Sequence, residues 1–158
     1  MMIRLEDSIK VDAPAESVFQ WLAQRMRDRE SYRAWHPDHV DLRWIKGEPL
    51  QEGAVVYAEE RLHGRLHKLK FRITRVVPNR LIAYRSLFPL SLLAPENRVI
   101  TEPNGEHRCT FAASASLRVP RWLFERHHPG QIEGALQHMR EEGQNLKRAV
   151  ESLGAARG

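Results

Sequence analysis

Residues 8–22 read Ser8-Ile9-Lys10-Val11-Asp12-Ala13-Pro14-Ala15-Glu16-Ser17-Val18-Phe19-Gln20-Trp21-Leu22. The residues just before this stretch and its first four belong together, because Ile3, Leu5, Ile9 and Val11 keep the alternation of a strand. From Asp12 the period changes. Asp12 or a neighbour is placed to cap a helix, Pro14 suits its first turn, and Val18, Phe19 and Leu22 share one helical face. A strand running straight into a short amphipathic helix therefore opens the chain.

Outward from that stretch, a second short helical or irregular piece, Gln24 to Trp35, leads to Pro37. Strand patterns follow at Val40 to Lys46, Ala54 to Leu62, Leu66 to Val77, Leu81 to Leu87, Arg98 to Glu102 and Glu106 to Leu117. Gly47, Gly53, Gly64 and Pro78-Asn79 punctuate them, and Pro103-Asn104-Gly105 is a hairpin signal. Pro120 introduces a long C-terminal helix, interrupted at Pro129-Gly130. From Gln131 to Leu153 it carries Ile132, Ala135, Met139, Leu146, Val150 and Leu153 on one stripe. An antiparallel sheet with one apolar face needs cover, and this helix supplies it. The expected architecture is α+β: one domain over residues 1–158, a curved antiparallel sheet of about six or seven strands wrapped around the long C-terminal helix, with two short helices after the first strand.

Composition narrows the chemistry. Of 158 residues, 42% are hydrophobic and 28% charged, a globular balance. Lys+Arg 25 against Asp+Glu 20 gives +5, and the basic residues are scattered rather than clustered, so nucleic acid is not an expected partner. A single Cys excludes a disulfide framework or a Cys-rich zinc finger, whereas eight His are a surplus. Any metal must be held by nitrogen and oxygen. No run approaches the roughly eighteen apolar residues of a membrane span. Acids at Glu6 and Asp7 occupy what would be a signal peptide's apolar core. The expectation is a cytoplasmic monomer or homodimer without a membrane partner.

Three groups of residues can carry chemistry. On the last helix, with about 100° per residue and Met139 at the centre of the stripe, Glu142 lies at about −60° and His138 at about −100°. These two are one turn apart on the same flank, where both can reach one metal ion; otherwise they are an ordinary helix-surface pair. Glu141 falls on the opposite side and is expected in solvent. The second group is Tyr32-Arg33-Ala34-Trp35-His36-Pro37-Asp38-His39-Val40-Asp41-Leu42-Arg43-Trp44, two imidazoles fixed about Pro37 within an aromatic junction. The third is Glu60, which shares a strand face with Val56, Ala58 and Leu62. A carboxylate facing inward needs a partner. His36 or His39, Glu60, His138 and Glu142 thus offer two imidazoles and two carboxylates from three elements.

The order of elements, and above all residues 8–22, resembles the START-like helix-grip superfamily that includes the polyketide cyclase/dehydrase proteins. The resemblance spans nearly the whole chain and implies a ligand cavity between the curved sheet and the last helix. The four-residue set also resembles the zinc site of hydrolases that cleave a C–C bond in acylated phloroglucinols, such as 2,4-diacetylphloroglucinol hydrolase and phloretin hydrolase. Those hydrolases are considerably longer, so the likeness is to their core. By that resemblance His138-x-x-x-Glu142 matches the helical pair, Glu60 the strand ligand and His39 the first ligand. His39 is preferred to His36 because Trp35-x-Pro37-x-His39 runs into a strand. The resemblance implies Zn2+ as cofactor, His36 as general acid/base, and hydrolysis of an aromatic or acyl-ketone substrate. Four protein ligands normally mark a structural zinc, so catalysis would need a fifth coordination position or a loosely held Glu.

Two alternatives share the fold: a metal-free carrier of a hydrophobic small molecule, and a polyketide cyclase/aromatase. A carrier would pair Glu60 with an arginine such as Arg72 or Arg98. Of the remaining candidates, His63 and His67 are expected in solvent at a turn, His127 and His128 in a loop, and Cys109 in the core. Tyr84, Trp122 and Phe124 are expected to line the core or the cavity.

Overall fold

The computed structural model describes residues 3–62 and 64–157; His63 lies outside them. Its strands are β1 (Ile3–Val11), β2 (His39–Lys46), β3 (Val55–Leu62), β4 (Arg65–Val77), β5 (Leu81–Ser86), β6 (Asn97–Pro103) and β7 (Cys109–Leu117). They form one antiparallel sheet in the order β1-β7-β6-β5-β4-β3-β2. Helices α1 (Ala15–Arg25) and α2 (Arg29–Trp35) carry the chain from one edge strand to the other. After β7 come the short α3 (Arg121–His127) and the long α4 (Gln131–Arg157), separated at Pro129-Gly130 as the sequence indicates. This is the expected helix-grip arrangement.

The local starts differ in detail from expectation. Pro14, not Asp12, is the extended residue before α1, and no side chain caps that helix. Asp12 instead donates its backbone N–H to Glu151 at 2.8 Å and pairs with Arg108 at 3.2 Å, tying the end of β1 to α4. At α2 the cap is regular: the Asp28 carboxylate accepts from the Ser31 N–H at 2.8 Å.

The core lies between the sheet's concave face and the helices. Val18 and Leu22 of α1 meet Leu146 and Val150 of α4 over Val11, Ile73, Ile82 and Phe111. Side chains such as Leu22, Ile82 and Leu146 are fully buried, each contributing about 1.5–3 kcal/mol. Gly143 lets α4 cross β1 closely, since a Cβ there would stand 3.4 Å from Ile9 Cγ2. The apolar stripe of α4 ends at Val150, and Leu153 is half exposed.

One irregularity decides the site. Leu42 opposes Ala58 and Trp44 opposes Val56, all facing inward, so simple alternation would turn His39 outward. A bulge between His39 and Asp41 leaves Val40 unpaired and reverses the phase. His39 then stands directly opposite Glu60 on the concave face.

Candidate metal centre

His39 is 2% exposed and held on three sides. The Tyr32 ring stacks on it with centroids 3.8 Å apart, and the Trp35 ring meets it edge-on. Its Nδ1 lies 2.8 Å from the Tyr32 carbonyl oxygen. A carbonyl only accepts, so Nδ1 carries the hydrogen and the neutral ring presents a lone pair at Nε2. That Nε2 lies 2.9 Å from Glu142 Oε2, 3.2 Å from His138 Nε2 and 3.9 Å from Glu60 Oε1.

α4 supplies the other half. His138 is buried, with Nε2 3.5 Å from Glu142 Oε1 and 3.7 Å from Glu60 Oε2. Trp35 Nε1–H donates to the Glu142 carbonyl at 3.0 Å, and Asn145 donates to the Trp35 carbonyl at 3.0 Å. These two bonds lock α2 to the turn of α4 that bears Glu142. Glu60 accepts from the Tyr32 hydroxyl. Arg98 pairs with Glu96, and Arg72 forms no bridge to Glu60, so the arginine partner expected of a plain carrier is not the one Glu60 has among the described residues.

One ligating atom from each of His39, Glu60, His138 and Glu142 falls within 4.8 Å of the others. Ligands about 2.0–2.2 Å from a tetrahedral zinc stand roughly 3.2–3.6 Å apart, and the separations of 2.9 to 3.9 Å bracket that range. The donor set of two imidazoles and two carboxylates suits zinc. His39 also has the oriented second nitrogen that metal-bound imidazoles show. His138 Nδ1 has no partner among the described residues.

The electrostatics without a metal are those of a compressed ion cluster. Burial alone would lower His138, but the hydrogen bond and charge of Glu142, then the charge of Glu60, push it up to about 9. Burial would raise Glu142, yet its hydrogen bonds to His138 and His39 hold it well below the usual carboxylate range. Burial and the nearby Glu60 and Glu142 charges raise Tyr32, so its phenol stays protonated. Tyr84 is raised by burial and then by Glu142 and Glu60, and it too remains a donor.

The cluster closes one part of a cavity of about 230 Å3. Val56, Phe71, Ile73, Val99, Phe111 and Met139 supply apolar wall, while Glu60, His138, Glu142, Tyr32, Tyr84 and Asn97 supply its few polar groups. Cys109 is fully buried, and burial raises its thiol, as a core residue rather than a nucleophile.

His36 is placed differently. It is buried, but it is not among the residues lining this cavity. Its Nδ1 accepts from the Asp38 N–H at 2.9 Å, and its Nε2–H donates to Glu141 Oε1 at 3.0 Å. Although His36, Asp38 and His138 also lie within 4.8 Å of one another, both nitrogens of His36 are engaged.

Three other expectations need revision. Glu141 is not plain solvent-facing charge, because it anchors His36. His67 opposes Glu60 across β3 and β4, so register turns it to the concave side, and its Nε2 is buried without a partner among the described residues. Trp122 is 66% exposed rather than core or lining, because the apolar contact of α3 is made by Phe124. Tyr32 was legible only as one of an aromatic group; its place under His39 depends on where α2 ends.

Comparison with known proteins agrees with this architecture. The family model described as polyketide cyclase / dehydrase and lipid transport matches residues 2–151. An aromatase/cyclase, Zhui, from a Streptomyces species superposes with TM-score 0.73 at 17% identity, covering 96% of this chain and 94% of that one. A norcoclaurine synthase from Thalictrum flavum gives TM-score 0.73 at 14% identity over 98% and 97% of the two chains. A START superfamily protein from Mycobacterium smegmatis gives 0.68 at 16% identity over 95% and 98%. At such identities these structures speak for the fold alone. No curated protein sequence matches the chain. With the family model running from the first strand through most of α4, and the sheet, cavity and gripping helix all in place, the chain belongs to the polyketide cyclase/dehydrase and lipid transport family.

Proposed function

We propose that this protein is an enzyme that binds an oxygen-bearing aromatic or acyl-ketone molecule in its cavity and acts on it at a metal centre formed by His39, Glu60, His138 and Glu142. The observation that carries this reading is the aim of the His39 lone pair. With Nδ1–H committed to the Tyr32 carbonyl, the Nε2 lone pair points between two carboxylates, which as anions only accept, and a second imidazole nitrogen 3.2 Å away. When bound there, zinc would polarise a carbonyl oxygen or make a bound water more acidic.

The protein's own groups bind and orient the substrate. A cavity of about 150 Å3 accommodates benzene, so 230 Å3 matches a substituted single ring or a small fused pair. The apolar wall excludes water from the carbon skeleton. Tyr84, kept protonated by burial and the neighbouring carboxylates, can donate a hydrogen bond to a substrate oxygen. The Tyr32 hydroxyl fixes Glu60, and its ring fixes His39. Acyl C–C bond hydrolysis is the reaction that the resemblance of these four residues to the zinc site of phloroglucinol-cleaving hydrolases implies. His36 is left outside the proposal because it does not reach the cavity.

A second reading, cyclase/aromatase chemistry without metal, is favoured by the description of the matching family and by the likeness to Zhui and to the di-domain aromatase/cyclase BexL. Metal analysis separates the two. Protein stripped by chelator and reloaded with zinc should retain one ion per chain after desalting, and His138→Ala and Glu142→Gln should not. Retention of zinc by both variants, or by none of the three proteins, refutes the metal-centre reading.

A further inference from the structure

We propose that the end of the sheet carrying the β5–β6 connection docks on an anionic lipid surface. This reading concerns the exterior and does not depend on the metal centre. Antiparallel register brings the start of β4, the end of β5, the start of β6 and the end of β7 to one end of the molecule. The connection that follows β5 exposes Phe88 (78%), Leu90, Leu92 and Leu93, and α3 exposes Trp122. Backbone bonds hold this connection in place: Leu87 N–H reaches the Lys70 carbonyl at 3.4 Å, and Arg118 N–H reaches the Leu93 carbonyl at 2.6 Å. Five large apolar side chains presented together to water at one end are unusual for a freely dissolved domain.

Charge selects the occupant. Lys70, Arg85, Arg118 and Arg126 surround this end, are exposed, and make no ion pair among the described residues. Arg85 stands directly opposite Arg72 across β4 and β5, a like-charge pair that costs stability unless an anion lies over it. A second copy docking face to face would set the same unpaired cations against one another. An anionic bilayer instead offers headgroups to the cations and an apolar layer to Phe88, the leucines and Trp122. Among the described residues no helix is long and apolar enough to span a membrane, so the mode proposed is attachment to the surface.

The experiment is sedimentation with vesicles of phosphatidylcholine alone and of phosphatidylcholine mixed with phosphatidylglycerol. Binding to the mixed vesicles, weakened by salt and slight on neutral ones, is expected. Each cation near the surface contributes about fivefold to partitioning, so Arg85→Glu with Arg118→Glu should reduce it by more than tenfold. Phe88→Ser with Trp122→Ser should reduce it by about tenfold or more. Both pairs lie at the surface, and an unchanged far-ultraviolet circular dichroism spectrum confirms folding. Trp122 is also a reporter, since Trp21 and Trp35 are buried and Trp44 is half-buried, so its emission should shift to the blue on the mixed vesicles. Failure to bind them, or binding that both double variants leave unchanged, overturns the proposal. So does a native dimer that Phe88→Ser with Trp122→Ser converts to monomer, which would assign the patch to a second copy.

Discussion

If the proposed metal centre binds zinc, zinc and a proton compete for the same nitrogen of His138. In the metal-free protein Glu142 and Glu60 hold that imidazole at about 9, against an ordinary value of 6.5. A folded-state value above the unfolded one contributes stability that is complete below about pH 6.5 and is lost as pH rises through about 9. A rise from 6.5 to about 9 corresponds to about 3 kcal/mol. In a chain of this length that is a fall of about 6–12 °C in Tm. Zinc removes the proton beforehand, so the loaded protein should lack this decline. Its apparent zinc affinity should instead rise about tenfold per unit from about pH 6.5 to pH 8.5. Thermal unfolding across that range, with chelator and with excess zinc, measures the first effect. Calorimetry in buffers of different ionisation enthalpy measures the second, and should find about one proton released per zinc at about pH 7. A metal-free Tm that is flat over the window, together with a zinc affinity independent of pH, would refute the coupling between Glu142, Glu60 and His138.

Other substitutions probe the parts around this centre. Tyr32→Phe removes the hydroxyl that holds Glu60 while keeping the ring under His39; zinc affinity by calorimetry should fall about 10–100-fold with the fold intact. Leu146→Ala opens a cavity where the side chain is 0% exposed, and urea unfolding should show a loss of about 2–5 kcal/mol. Gly143→Val places extra atoms where a Cβ already stands 3.4 Å from Ile9, and should cost about 1–3 kcal/mol in the same assay. Ala113→Trp fills the cavity from β7 and should abolish uptake of an aromatic fluorescent probe while leaving zinc binding unchanged.

The elements were legible where a local period expressed them. Ile3 to Val11, the helix after Pro14, and the stripe from Ile132 to Val150 each repeat with the spacing their structure requires. The His138/Glu142 flank followed from helical phase in the same way. His39 did not, because the alternation set by Leu42 and Trp44 turns it outward until the bulge at Val40 reverses the phase. Nothing local marks that bulge; it follows from pairing with β3. Glu141 illustrates the opposite limit. Helical phase places it away from the stripe, as expected, but the residue it meets is His36 from a junction more than a hundred positions earlier. The local pattern puts His67 at a turn, whereas its pairing with Glu60 belongs to a strand register that starts at Arg65.

The four-residue cluster is poorly suited to be an ion-pair network, and this bears on its purpose. Two half-buried carboxylates carry two negative charges. If both imidazoles are protonated to balance them, two N–H groups confront each other across 3.2 Å between the Nε2 atoms. If only one is protonated, a net negative charge stays in an apolar cavity lined by Phe71, Ile73 and Phe111. A dication removes the dilemma: it balances both carboxylates, and the two neutral imidazoles face it with lone pairs instead of opposed hydrogens. Well-packed apolar residues at these positions would stabilise the fold at least as well as an incompletely balanced network. A group of this kind, set on the wall of a ligand cavity by three separate elements and a strand bulge, makes physical sense when a cation belongs between its members.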